Sequence, residues 1–185
     1  MSVKCAMSDA RAYVDELEAR RRRKDDHFGS DPASPLTTEQ RGVFTRLPYF
    51  PVDPSFRIVG ALVPDASEET IVMQTTGGGV QRYRRAGALT FEVSGQPAQI
   101  TLYDAGDDGF FVPFRDATSG RETYGAGRYL EAEAQSDGLV VVDFNEAYNP
   151  YCAYNARWTC PIPPSENWLQ VPIRAGERSF PGIEQ

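Results

Sequence analysis

The sequence is poor in the residues that build metal sites and proton relays. It contains a single histidine, His27, and three cysteines. One imidazole excludes histidine-rich metal sites and relays that need two imidazoles. Cys5 is far from Cys152 and Cys160, and no C-x-x-C pair is present, so neither a disulfide framework nor a zinc motif is indicated. We therefore predict no metal and no cofactor, and we expect Cys152 and Cys160 to be reduced.

The sequence also lacks an excess of basic residues and any long apolar run. Its 26 acidic and 19 basic residues give a net charge of -7, which disfavours a broad surface for nucleic acid. The basic block at 20–24 is flanked by acidic residues, as is typical of a solvated helix end. No secretion signal and no run of about 18 apolar residues is visible. We predict a cytoplasmic protein that binds neither nucleic acid nor membrane.

What is present fits one globular folding unit, because 41% of the residues are hydrophobic and 11% are aromatic. Residues 1–48 are predicted to form an N-terminal helical arm whose first seven residues are mobile. Within it, the pattern predicts a helix over residues 8–24 and a second one that Thr37 or Thr38 caps and that runs to Leu47. Residues 49–185 are predicted to form the β domain.

From Phe56 onward, the hydrophobic pattern alternates as in β-strands, and short runs are separated by Gly- and Asp-rich turns. The predicted fold is mainly β: an antiparallel sandwich or partly closed barrel of about 8–9 short strands. The runs are 57–63, 70–75, 80–85, 88–94, 98–103, 110–114, 124–133, 139–145 and 169–174. The Pro-, Asn- and Tyr-rich stretch 146–168 is predicted to be a long irregular loop, and loops of that length are often functional.

A hairpin formed by the 124–133 and 139–145 runs is the most informative segment. A two-residue turn at Asp137-Gly138 would place Arg128 and Asp143 on the same face of the sheet. Burying Asp143 without a partner would cost several kcal/mol, so Arg128 is its expected partner. A structural ion pair and a ligand-binding role for this pair are equally weighted alternatives.

The loop 146–168 is expected to close over the polar end of this hairpin, so that its polar side chains share a cavity with Arg128 and Asp143. Glu166 is then expected to turn inward towards Arg128. The predicted catalytic residues are Asp143 and Glu166. The predicted ligand-binding residues are Tyr124, Arg128, Asn145, Tyr148, Asn149, Cys152 and Asn167.

Two functions fit this arrangement. The first is a small-molecule-binding or enzymatic β domain with a polar pocket between the hairpin and the loop. The second is a non-catalytic protein-interaction module whose loop presents aromatic side chains to a partner. Those side chains are Tyr151, Tyr154, Trp158 and Trp168. The sequence contains no recognisable nucleophile–base pair, so enzymatic activity stays open. The oligomeric state also stays open.

The sequence resembles the bacterial and archaeal domain of unknown function 1684 family (DUF1684). The segments that carry the resemblance are FVPFRDATSG (111–120), ETY (122–124), GRYL (127–130), DFN (143–145), AYNP (147–150), CAY (152–154), CPIPP (160–164), EN (166–167) and AGE (175–177). The resemblance runs from about Lys24 to Glu177 and includes every predicted site residue, together with Cys160. Because the family is named for lacking an assigned activity, it implies relatives and no reaction.

Overall fold

The computed structural model describes residues 3–67, 69–106, 109–135 and 138–181, without the side chains of residues 3–9. Two helices come first, α1 (Val3–Ser30) and α2 (Thr38–Val43). Thr37 caps α2, since its side chain accepts from the Gln40 N–H and the Gln40 side chain accepts from the Thr37 N–H. The predicted helical arm is confirmed, although α2 ends before Leu47 because Phe44 is extended. The expected mobility of residues 1–7 concerns positions that lie outside the described side chains.

Eight strands follow and form a single antiparallel sheet. They are β1 (Arg57–Ala61), β2 (Val63–Pro64), β3 (Thr70–Gln74), β4 (Val80–Val93), β5 (Gln96–Asp104), β6 (Phe110–Phe114), β7 (Arg128–Ala134) and β8 (Leu139–Asp143). The order is β1-β8-β7-β6-β5-β4-β2, and β3 also pairs with β4. The sheet curls until β1 meets β4, where a Cβ on Gly60 would lie 2.7 Å from Leu89 Cδ1. The predicted mainly-β, partly closed barrel is therefore confirmed.

One continuous apolar core fills the barrel. Its buried side chains alternate along β4 to β8, as the period of a strand requires. The chain after the loop also contributes Leu169, Val171 and Ile173, which close one end of the core. The helical arm packs outside, where a second cluster contains Phe28 of α1 and Tyr154 of the loop. The expected arrangement, with helices outside a single β core, is confirmed.

Two strand predictions are corrected by the structure. The runs 80–85 and 88–94 belong to the single strand β4, which has a register shift between Arg85 and Gly87. The run 169–174 is not a strand, although its alternate residues are buried. Its backbone bonds only intermittently to the segment after β6: Leu169 N donates to Arg115 O, and Ala117 N donates to Val171 O. The alternating hydrophobic pattern therefore correctly predicted which side chains of this segment face inward, but the segment does not pair as a strand.

The register of the β7–β8 hairpin also differs from the prediction. Glu133 pairs with Val141, and Gln135 N donates to Leu139 O, so three residues separate the paired ends. Two of them, Ser136 and Asp137, lie outside the described residues, whereas Gly138 has the positive φ that such a loop needs. One extra residue exchanges the faces of a strand. Arg128 therefore lies on the inner face and Asp143 on the outer face, and their predicted contact is wrong.

Candidate functional site

Arg128 belongs to a buried polar cluster at one end of the barrel, in which its two terminal nitrogens are bonded and its Nε has no partner among the described residues. Its side chain is 1% exposed and donates to the carbonyl oxygens of Ile173 at 2.8 Å, Glu177 at 3.0 Å and Ala175. The carboxylate of Asp116 lies 3.5 Å away. Burial lowers the pKa of Arg128 to about 10, which leaves it protonated at neutral pH. Arg128 fixes the C-terminal segment to β7, and its donors are not directed at a pocket.

Asn167 is likewise part of the scaffold. Its side chain accepts from Thr101 N at 2.8 Å and donates to the carbonyl oxygens of Thr101 and Pro113, each at 2.8 Å. The β5–β6 pairing extends only over Tyr103 and Asp104 of β5. Beyond it, the fully buried Asn167 amide supplies hydrogen bonds that a neighbouring strand would otherwise supply.

Glu166 does not contact its predicted partner, Arg128, and is held instead by β4 and β5. Its carboxylate binds the Arg85 guanidinium at 2.6 and 2.9 Å and also accepts from the Tyr103 hydroxyl. Burial alone would raise the pKa of Glu166, but the hydrogen bonds from Arg85 and Tyr103 outweigh it and lower this pKa. The predicted cluster of Glu166, Arg128 and Asp143 is therefore wrong, because the turn Ser165–Asn167 is anchored against β5.

The outer face of β7 and β8 lies beneath α1, and the other predicted catalytic residue is found there. The Tyr13 hydroxyl of α1 donates to Asp143 Oδ2 at 2.6 Å, and Arg57 Nε lies 3.7 Å from the same oxygen. Asn145 donates to Asp143 Oδ1 at 3.1 Å and also holds both backbone groups of Asp53. A cavity of about 190 Å³ opens beside Asp143 between α1 and the two strands. Burial raises the pKa of Tyr13, and the Asp143 carboxylate raises it further.

Glu177 is a buried carboxylate that the sequence reasoning did not select. It contacts α1 at Lys24, further along the helix than Tyr13. It is 1% exposed and accepts from Lys24 Nζ at 2.6 Å, from Asn149 N at 2.9 Å and from the Tyr154 hydroxyl. Gly176 makes this position reachable: its φ is +73°, and a Cβ there would lie 2.4 Å from Ala147 O. The fixed carboxylate in turn holds the Lys24 ammonium at the surface of the loop.

Tyr148 and Asn149 lie on the two sides of this ion pair. The Tyr148 hydroxyl donates to Glu131 at 2.5 Å, and its backbone pairs with Tyr129. Asn149 is 1% exposed and donates from its side chain to Arg178 O at 2.8 Å. Tyr148 therefore has a surface-facing ring, whereas Asn149 serves the backbone.

A cavity in contact with Lys24 and the loop is walled by aromatic rings, and we refer to it as the aromatic pocket. Its volume is about 500 Å³. It is lined by Lys24, His27, Phe28, Tyr129, Tyr148, Pro150, Tyr151, Trp158 and Cys160. Lys24 Nζ lies 4.9 Å from the centre of the Tyr148 ring and 5.4 Å from that of Phe28. Helix α1, strand β7 and the loop 146–168 thus all contribute to one pocket.

A pair of thiols lies under this pocket. Cys152 and Cys160 are both free and buried. Cys152 N donates to Cys160 Sγ at 3.4 Å, and the Tyr124 hydroxyl lies 3.7 Å from Cys152 Sγ. Hydrogen bonding from the Cys160 thiol lowers the pKa of Cys152 to about 6 despite its burial, and the Tyr124 hydroxyl adds to this effect. The pair therefore loses its first proton easily.

The structure divides the predicted site residues into separate groups. Asp143 and Asn145 meet beneath α1, Tyr124 contacts Cys152, and Tyr148 lines the aromatic pocket. Arg128, Asn149 and Asn167 have structural hydrogen bonds, and Glu166 lies elsewhere. The sequence reasoning missed Lys24, Phe28 and Glu177. The segment AGE at 175–177 was a usable signal, since a glycine before a carboxylate can allow a close backbone approach.

Across the described ranges, no three His, Cys, Asp or Glu side chains are grouped as metal ligands would be. In that same part of the chain, no helix combines the length and the apolar character needed to cross a bilayer.

The chain is similar to a family and to a solved structure that are both described as uncharacterised. The family model described as Protein of unknown function (DUF1684) matches residues 42–178. The solution NMR structure of the uncharacterized protein from gene locus rrnAC0354 of Haloarcula marismortui is 35% identical to this chain, with a TM-score of 0.70. That alignment covers 92% of this chain and 96% of the other. No curated protein matches. The chain therefore belongs to the DUF1684 family of proteins of unknown function, as the motifs in its hairpin and loop indicated.

Proposed function

We propose that this protein binds a small planar organic anion, such as an aromatic carboxylate, in the aromatic pocket. The observation that carries the proposal is the combination of aromatic walls and one fixed ammonium, Lys24, around a cavity of about 500 Å³. Small-molecule sites commonly have volumes of about 300–1,000 Å³, with mostly apolar walls and a few polar groups that fix orientation.

The walls suit a planar ring. Tyr151 and Trp158 pack edge to face with centroids 5.1 Å apart, and Tyr129 and Tyr148 do so at 5.9 Å. Aromatic pairs in this geometry leave ring faces that accept a further ring by stacking or edge contact. The Nε1 atom of Trp158 is buried and has no hydrogen-bond partner among the described residues, so it is a candidate donor to a ligand.

Lys24 favours an anion over a cation. An ammonium has three N–H donors, and Glu177 accepts from Lys24 at 2.6 Å, which leaves donors for a second acceptor. Glu177 does not depend on Lys24 alone, because it also interacts electrostatically with Arg21 and Arg128. A bound carboxylate would therefore add a partner for Lys24 without leaving Glu177 unopposed.

The alternative function, a protein-interaction module, has less support. Of the four aromatic residues expected to face a partner, Tyr154 is fully buried. Trp168 is 46% exposed, but its ring packs under the Arg115 guanidinium at 4.8 Å. Tyr151 and Trp158 instead line the aromatic pocket.

Tryptophan fluorescence tests the proposal directly. In a Trp168→Phe protein, Trp158 is the remaining tryptophan, because the chain has two. Para-nitrobenzoate, para-nitrobenzamide and para-nitrobenzylammonium share one quenching ring and differ in charge. We expect saturable quenching, with the anion binding about tenfold more tightly than the neutral amide. Equal weak quenching by all three probes would refute the proposal.

The matched variants separate charge from stability. A Lys24→Met/Glu177→Gln protein removes both charges of the pair and so avoids an unpaired buried carboxylate. We expect it to lose the preference for para-nitrobenzoate while retaining its fold by circular dichroism. Arg82→Met, which removes an exposed charge on β4, should leave binding unchanged. An unchanged preference in the double variant would also contradict the role of Lys24.

A further inference from the structure

We infer that Cys152 and Cys160 form a peroxide-reactive dithiol, which hydrogen peroxide or another small hydroperoxide converts to an intramolecular disulfide. The inference is independent of the proposed ligand. It starts from two thiols of one loop that are held against each other.

The backbone fixes the two sulfur atoms in place. Cys160 N donates to the Thr76 hydroxyl at 3.0 Å, and Thr76 N donates to Cys160 O at 2.9 Å. Cys152 lies in a short helical turn, Tyr151–Ala153, and its N–H donates to Cys160 Sγ at 3.4 Å. Side-chain hydrogen bonding between the two thiols lowers the pKa of Cys152 and raises that of Cys160. These anchors hold the two residues against each other, and close approach is the first requirement for a disulfide.

The surroundings favour a thiolate on Cys152. The Tyr124 hydroxyl and the Cys160 thiol can both donate to its sulfur. A thiolate is the nucleophilic form of cysteine, and free cysteine has a pKa of about 8.5. The lowered pKa of Cys152 therefore increases the share of thiolate at neutral pH relative to a free cysteine.

Access selects a small oxidant. Cys152 is 7% and Cys160 is 8% exposed, and Cys160 lies in the lining of the aromatic pocket. A hydroperoxide can enter such a space, whereas a protein disulfide cannot approach a sulfur that is buried to this degree. The chemical class of the substrate is therefore a small peroxide.

The reaction balances in two steps. The Cys152 thiolate attacks one peroxide oxygen, an S–O bond forms, the O–O bond breaks, and the departing hydroxide takes a proton to become water. Cys160 sulfur then attacks the sulfenic sulfur of Cys152, an S–S bond forms, the S–O bond breaks, and the departing hydroxide takes the Cys160 thiol proton and leaves as a second water. Overall, two thiols are oxidised, and one hydrogen peroxide is reduced to two waters.

Thiol counting and intact mass test the inference in a Cys5→Ser background, which leaves only this pair. Stoichiometric hydrogen peroxide should remove both free thiols, reduce the mass by two hydrogen atoms, and be reversed by dithiothreitol. Cys160→Ser should instead accumulate a sulfenic acid that dimedone traps, whereas Cys152→Ser should react at least about tenfold more slowly. Two thiols that persist in the folded Cys5→Ser protein under excess peroxide would overturn the inference.

The pH dependence provides a second readout that does not require a cysteine variant. The rate of iodoacetamide labelling of Cys152, followed by peptide mass spectrometry, should rise with a midpoint near pH 6. Tyr124→Phe should move this midpoint upward because one donor to the thiolate is lost. A midpoint near the value of free cysteine, unaffected by Tyr124→Phe, would also overturn the inference.

Discussion

The inner and outer faces of the β7–β8 hairpin treat buried charge in opposite ways. On the inner face, Arg128 is surrounded by main-chain carbonyls and by Asp116, and it is closed off from solvent. On the outer face, Asp143 meets the Tyr13 side chain of α1 beside a cavity. The same pair of strands therefore carries a charge enclosed by backbone acceptors inside and a helix-covered carboxylate beside a cavity outside.

The difference shows what a charged residue in a strand is used for. A guanidinium whose acceptors are fixed backbone atoms cannot exchange them for a ligand without breaking the fold. A carboxylate held by side chains of a packed helix has partners that can rearrange. The predictions below measure how far this contrast holds.

The largest effect is expected for Arg128→Met. Removing the guanidinium leaves three carbonyls and Asp116 without their buried donor, which we expect to lower the free energy of unfolding by about 3–5 kcal/mol. Urea denaturation monitors the change, and Arg82→Met is the matched control. A loss as small as that of the control would show that the inner cluster is not structural.

The next largest effect is expected for Asn167→Ala. The substitution leaves buried Thr101 and Pro113 backbone groups unpaired, at a cost of about 2–3 kcal/mol. Asn155→Ala removes an amide from an exposed turn and should cost much less. Hydrogen exchange at Thr101 N–H should accelerate in the Asn167 variant, and unaltered protection would contradict the bridging role.

A smaller effect is expected on the outer face for Tyr13→Phe. Asp143 loses one donor but retains Asn145 and the nearby Arg57, so we expect a loss of about 1.5 kcal/mol. Tyr83→Phe, whose hydroxyl bonds the exposed Gln81, is the control. A loss equal to that of Arg128→Met would remove the contrast between the two faces.

The smallest effect concerns the pH dependence of Glu166. Because its pKa in the folded protein is lowered, its contribution is present above the ordinary value of about 4.3 and is lost as pH falls through the lower folded value. The stability difference between the native protein and Glu166→Gln should therefore be visible at pH 7 and shrink towards pH 3. Glu92→Gln, which removes an exposed carboxylate from β4, is the control. A difference independent of pH would contradict the charged Arg85 contact.

Most of the fold could be predicted because it depends on local patterns. Alternation identified β3, β6 and β8 closely, and turn residues identified the two-residue β4–β5 connection, where Ser94 and Gly95 both have positive φ. The helical arm followed from its charge order and from Thr37. These features need only neighbours in the chain.

The candidate site was less predictable because it depends on register and on long-range docking. One extra residue in the 135–139 connection reversed the faces of Arg128 and Asp143. Lys24 and Glu177 lie 153 positions apart, and no periodicity connects them. Tyr148 and Cys152 could be selected because the loop concentrates aromatic and polar side chains, yet their separate surroundings depend on how that loop packs.

The long sequence separation between α1 and its partners also determines when the helix can dock. Tyr13 precedes its partner Asp143 by 130 residues, and Lys24 precedes Glu177 by 153. At a synthesis rate of about 5–20 residues per second, Lys24 is made about 8–30 seconds before its partner Glu177 exists. The buried apolar residues of α1, Leu17 and Phe28, lack their final packing partners during that interval. The helix made first is therefore the last to be secured, and the outer face is completed only after the barrel beneath it.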